Sequence, residues 1–169
     1  MTQAQTKQEI GRAQNAIQDY LIRKLLIPKV YLDAEWNGKK VGVLAIDRAG
    51  VGDVHAVYIV YQGSDVEAAL ETVIANPGTH FIPHFLYAAV VYDGTEKPKL
   101  VLPERIIQKS LAEDGVGRVG ILYVDLSEDD PRLQVVSRLK AERFRSSKET
   151  VELSDRFVAE HTANWEYRE

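Results

Sequence analysis

Residues 41 to 62, VGVLAIDRAGVGDVHAVYIVYQ, are two runs rich in β-branched and aromatic side chains on either side of a glycine-bearing turn. Such side chains pack well on a pleated surface, so VGVLAIDR (41–48) and VHAVYIVYQ (54–62) predict adjacent strands, with AGVGD (49–53) supplying the turn. Upstream, KVYLDAEW (29–36) alternates apolar and polar residues and stops at Asn37-Gly38, a pair that favours the positive φ angles of a tight hairpin. A three-strand meander follows, and the rest of the chain must cover it.

The flanking segments supply helices. Between Gln3 and Leu26 the apolar residues Ile10, Ala13, Ile17, Leu21 and Leu25 recur at spacings of three and four, the stripe of an amphipathic helix, and Pro28 ends it. Ser64 or Asp65 caps a second helix through Ala75, closed by Asn76-Pro77-Gly78. HFLYAAVVY (84–92) reads as a buried strand, PERIIQKSLAED (103–114) as a helix with proline at its start, and VGILYVDL (119–126) as a further strand. From Pro131 to Glu169 the sequence is charged and is expected to be a helical extension. The prediction is one α/β domain over 1–169, with a core of about 5–126: a mixed sheet flanked by helices, and a helical C-terminal tail.

Composition narrows the function classes. The chain has no cysteine, which excludes disulfides, thiolate metal sites and cysteine nucleophiles. No apolar run approaches the roughly 20 residues that cross a bilayer. The first residues, MTQAQTKQEIGRAQ, lack the apolar stretch of a secretory signal, so no membrane partner and a cytoplasmic location are expected. The net charge of −4 means that any phosphate-binding face must be local.

With VGVLAIDRAGVGDVHAVYIV at its centre, this order of elements resembles the restriction-endonuclease-like superfamily, the PD-(D/E)xK nucleases. In that family the second strand begins with an aspartate, often as V-D-V-L-A-I-D. The third carries glutamate, one residue, then lysine, often as G-D-x-H-x-V-E-x-K, and the first helix often adds a glutamate. Carboxylates on adjacent strands can hold Mg²⁺, which lowers the pKa of a bound water while lysine supports the developing charge. All the groups must share one side of the sheet, hence the alternating spacing. Carried over residue by residue, the resemblance puts the aspartate position on Gly42, the glutamate on Tyr58 and the lysine on Val60. Glycine offers no ligand, protonated tyrosine is a poor one and valine carries no charge, so the resemblance implies the fold with a degenerate site. The helix glutamate matches Glu9.

A relocated site would draw on Glu9, Asp33, Glu35 and Asp47, and only such a site would call for Mg²⁺ or Mn²⁺; otherwise no cofactor is expected. Asp33 and Glu35 share a face of the first strand by alternation, and Asp47 and Asp53 flank the glycine turn, where aspartate commonly bonds the backbone. Lys39 and Lys40 lie at the hairpin. His55, His80 and His84 lack the spacing of a helical ligand pair, and Ser64, Ser110 and Ser127 lack a nucleophile elbow. GVGRVG (115–120) precedes a strand rather than opening a helix and reads as a turn.

The segment RLKAERFRSSK (138–148) is locally basic, and Arg138, Lys140, Arg143, Arg145 and Lys148 are candidates for phosphate contact, with Phe144 able to stack on a base. Asp129, Asp130, Glu149 and Glu152 are close enough in sequence to neutralise it. Val54, Ala56, Tyr58, Ile59 and Tyr61 suggest instead that the former cleft is filled with apolar and aromatic groups, since carboxylates without a metal repel each other and are costly to bury. The sequence therefore predicts a non-catalytic binding or assembly component whose partner is a protein, a second copy of itself, or DNA. The alternatives are a metal-dependent nuclease with moved ligands and a structural homodimer without ligand.

Overall fold

The structure is a computed structural model that describes residues 3–36, 39–47, 53–61, 83–94, 119–143 and 148–167. The helices expected over 64–75 and 103–114 lie outside these residues. So do the Asn37-Gly38 pair, most of both glycine segments, Ser64, His80, Ser110, Phe144 and Arg145.

The strands are β1 (Lys29–Trp36), β2 (Lys39–Ile46), β3 (Val54–Tyr61), β4 (Phe85–Tyr92), β5 (Gly120–Asp125), β6 (Val135–Leu139) and β7 (Trp165–Glu166). Together they form one sheet in the order β6-β5-β4-β3-β2-β1-β7. β1, β2 and β3 pair antiparallel, as the meander predicts. β4 then runs parallel to β3, and β5 parallel to β4. Parallel neighbours require long crossovers, and 62–84 and 93–119 have the length for them. This is a mixed α/β sheet.

Alternation sorts the strand residues into two cores. One face, with Val43, Val57, Ala89 and Leu122, packs on helix α1 (Gln3–Arg23) through Ala13, Ala16, Ile17 and Leu21. The other, with Leu44, Ala56, Ala88 and Tyr123, packs on Phe157 of a C-terminal helix (Lys148–Glu160). That ring meets Tyr31 edge-on with centroids 4.9 Å apart, and lies 5.9 Å from Trp36. Central strands buried on both faces explain why 84–92 reads as a continuous apolar run.

α1 stops three residues short of Leu26, which adopts a left-handed φ of 56°, while the Ile27 N–H donates to the Leu21 carbonyl at 3.2 Å. Leu25 therefore leaves the stripe and is 37% exposed. The C-terminal region departs further from the expected helical tail. Asp130 caps a single turn, α2 (Pro131–Gln134), by accepting from the Arg132 N–H at 3.0 Å, and the chain then becomes β6. The β-branched pair Val135-Val136 and the free edge of β5 outweigh the helical composition. The helix at Lys148–Glu160 is α3, and β7 closes the opposite edge, with the Asn164 and Tyr167 N–H groups donating to the carbonyls of Val30 and Pro28, each at 2.8 Å. Among the described residues, no helix is long and apolar enough to cross a membrane.

Candidate functional site

The positions on which a nuclease would build its centre lie along β1, β2 and β3, and the ladders there are irregular. On β1, Leu32 faces α1 and Ala34 faces α3, so the alternation slips at Asp33, whose φ is +51°. On β2 the same slip occurs between Val41 and Val43, at Gly42, directly across from Asp33. Both strands are paired on either side of this rung and not at it. Gln14 of α1 occupies the break: its Nε2 donates to Asp33 Oδ1 at 2.7 Å and to the Gly42 carbonyl at 3.1 Å. With 5% of its surface exposed, Gln14 is a buried polar group whose donors are used in the sheet irregularity.

The slip decides where the site positions face. A Cβ on Gly42 would lie 2.9 Å from Ile59 Cδ1 and 3.1 Å from Ile59 Cγ1. Ile59 belongs to the α1 face, whereas Tyr58 packs against the α3 core, and Val60, between two residues of the α1 face, is turned the same way as Tyr58. Gly42 is thus on one side of the sheet and Tyr58 and Val60 on the other. The expected common face would need the β2–β3 ladder to continue past Val43↔Val57, where its pairing stops. Burial pushes the Tyr58 hydroxyl up to about 12, which keeps it protonated at neutral pH.

The acidic candidates are spread out. Asp33 is held by Gln14. Glu35 is exposed and on the α1 face, since its neighbours Ala34 and Trp36 both belong to the other core. Glu9 is half-buried near Tyr61, whose hydroxyl is pushed up to about 12 by burial and then by the Glu9 charge. Asp47 is exposed at the end of β2. Among the described residues, no three Asp, Glu or His side chains form a group that could hold a metal ion.

A second polar cluster joins elements far apart in sequence at the start of β3 and β4. His84 is 2% exposed, and its Nδ1 accepts the Val54 N–H at 2.9 Å, which places the neutral ring's proton on Nε2, 3.8 Å from Asp53 Oδ1. The same Asp53 oxygen accepts Arg143 Nε at 3.0 Å. Burial holds His84 below the usual histidine range, against the pull of Asp53. Neither ring nitrogen offers a lone pair to a substrate, so His84 is a fastening and not a base. Nearby, His55 stacks on Phe85 at 4.5 Å, and its Nδ1 lies 3.1 Å from the Tyr87 hydroxyl; burial pushes it down to about 4. Ser127 Oγ is likewise committed, donating to Asp125 Oδ1 at 2.7 Å.

The basic segment does not form one helical face. Arg138 and Lys140 leave from and just after β6, both exposed, Arg143 is paired with Asp53, and Lys148 begins α3. Asp130, expected to neutralise this run, instead binds Arg132 at 3.0 Å.

Sequence reasoning missed Gln14. The signal was present, because Gln14 sits four residues after Ile10 and three before Ile17, a polar residue inside the apolar stripe. It could not have revealed the paired slip that Gln14 serves.

Fold and site together define an α/β protein with a mixed sheet between helices and an irregular β1–β2 rung at Asp33 and Gly42 that Gln14 fills. No family model matches the chain, and no curated protein matches it. Among solved structures it is similar to the SPO1766 protein of unknown function from Silicibacter pomeroyi, with a TM-score of 0.53 and 16% identity over 90% of this chain and 82% of that one. The likeness is one of fold.

Proposed function

We propose that the chain is a restriction-endonuclease-like protein whose catalytic cleft is closed by packing, acting as a non-catalytic binding or assembly component. The observation that carries this reading is Ile59 seated where a side chain on residue 42 would project. A carboxylate there would have to shift the end of the Ile59 side chain and would face Gln14 and apolar neighbours. The helix, the antiparallel β1–β2–β3 meander and the parallel β4 support the resemblance from which the cleft is placed.

Association with a protein, or with a second copy, is favoured over DNA, because Arg143 is neutralised by Asp53 within a chain of net charge −4. Cytoplasmic location and the absence of a cofactor belong to the same reading. The test is calorimetric titration with Mn²⁺, followed by incubation of the same sample with supercoiled plasmid. No nicking is expected. Mn²⁺-dependent nicking that disappears in Asp33→Ala or Glu35→Ala would overturn the reading in favour of an enzyme with relocated ligands.

A further inference from the structure

Apart from Leu133 in α2 and Val136 in β6, the exposed large apolar side chains of the described residues are Leu26 at 77%, Tyr167 at 62% and Leu25 at 37%. These three gather where the end of α1 meets β7. There Ile22, Leu26, Ile27, Pro28, Trp165 and Tyr167 line a groove of about 560 Å³ whose one charged lining residue among those described is Asp47. Its volume is within the range of ligand sites, and its lining is mainly apolar. Asp47 is exposed, and among the described residues its carboxylate has no ion-pair or hydrogen-bond partner.

The end of α1 places further exposed side chains at the rim of the groove. Lys24, Leu25 and Leu26 project from the end of α1, all exposed, and the Lys24 ammonium has no partner among the described residues. Leu26 is held at φ 56°, in the left-handed region that favours glycine, so a bulky apolar side chain stands in water on backbone that a smaller residue would adopt more easily. An apolar knob carrying a cation thus lies beside an apolar groove carrying a carboxylate.

We infer that this patch is an isologous interface, in which Leu26 of each copy enters the groove of a second copy and Lys24 of each meets Asp47 of the other. A two-fold axis beside Leu26 satisfies both contacts at once, because knob and groove share a rim. The occupant is a second copy because this chain itself displays the apolar group and the opposite charge that the groove requires. The inference rests on reading the chain as an association module, and it places the interface at the end of α1.

Sedimentation equilibrium tests it with full-length wild type, Lys24→Glu, Asp47→Lys and an equimolar mixture of the two variants. Both residues are exposed, so the variants fold. In each variant alone both ionic contacts become like-charged, and the dimer weakens at least about tenfold. In the mixture both contacts are again opposite in sign, and a heterodimer returns. Leu26→Gly, which suits the backbone and removes the knob, also weakens the dimer. A wild type that stays monomeric, a dimer indifferent to both charge changes, or a mixture that fails to re-associate would each overturn the inference. The plasmid assay on the same samples keeps the two readings apart. Nicking with Mn²⁺ removes the association-module reading whatever the dimer does, and a monomer that does not nick removes the interface alone.

Discussion

Gly42 combines two constraints that act on different atoms. Its carbonyl is used by Gln14, whose Nε2 reaches it at 3.1 Å, and the space beyond its Cα belongs to Ile59. A side chain on residue 42 must make the end of the half-buried Ile59 side chain shift, and forcing extra atoms into a packed site costs up to about 1–3 kcal/mol. An aspartate adds the cost of a carboxylate facing aliphatic groups. Urea unfolding of Gly42→Asp is therefore expected to show a loss within that range. Adding Ile59→Ala to Gly42→Asp should cost less than Ile59→Ala costs alone, because residues in contact couple. Additive losses would mean that Ile59 does not occupy the site. Asp33 across the rung shows why sequence reading stopped short here. Alternation put Asp33 and Glu35 on one face, and both do lie towards α1, but through a left-handed residue and a paired slip that no period-2 pattern encodes.

At the scale of elements, what was legible followed from how much each segment buries. KVYLDAEW, read as a strand over 29–36, is β1 (Lys29–Trp36), and the runs at 54–62 and 84–92 are β3 (Val54–Tyr61) and β4 (Phe85–Tyr92), because side chains sealed between two layers leave a strong signature. The expected helical tail is helical at α2 and α3 and a strand at β6, which sits at the sheet edge with Val136, Ser137 and Arg138 exposed, so its pattern resembles that of a surface helix. The edges themselves are blunted. β7 pairs through two residues only, and β6 carries an irregularity that pairs Ile121 with Leu139 and Leu122 with Ser137, leaving Arg138 over. A bulge bearing a charge twists an edge away from incoming strands. Replacing Arg138 and Lys140 with threonine is expected to increase concentration-dependent light scattering during storage at neutral pH, with helix and sheet content by circular dichroism unchanged at the outset. Scattering equal to that of wild type would show that these charges do not guard the edge. This association is open-ended, unlike the closed two-fold contact through Leu26, and sedimentation distinguishes them.

For the molecule as a whole, the three layers enclose histidines that depend on staying neutral. His55 lies within the α1-side layer against Phe85 and Tyr87, and His84 is buried beneath the Asp53–Arg143 pair that fastens the C-terminal segment to the start of β3. In the unfolded chain a histidine takes its proton near 6.5, whereas His55 in the fold takes it only near 4. His84 is displaced in the same direction by burial, with Asp53 opposing and Arg143 reinforcing the displacement. As pH falls below 6.5 the unfolded state binds protons that the folded state refuses, so unfolding is favoured. Stability from His55 is complete above 6.5 and is lost progressively down to about 4, where the folded ring also protonates. The span corresponds to about 3 kcal/mol for His55 at full effect. Most carboxylates titrate below about 5, so the interval from there to neutrality isolates the histidine contribution. Urea unfolding midpoints measured between pH 7.5 and pH 5 are expected to fall in wild type and to fall less in His55→Phe, which keeps the stacking on Phe85 and removes the titration. Because Tyr87 loses its partner in that variant, the absolute midpoint can drop while the slope against pH flattens, and the slope is the quantity to read. Parallel slopes in the two proteins would place the proton-sensitive step on His84 or elsewhere and would show that His55 is not sealed in the layer.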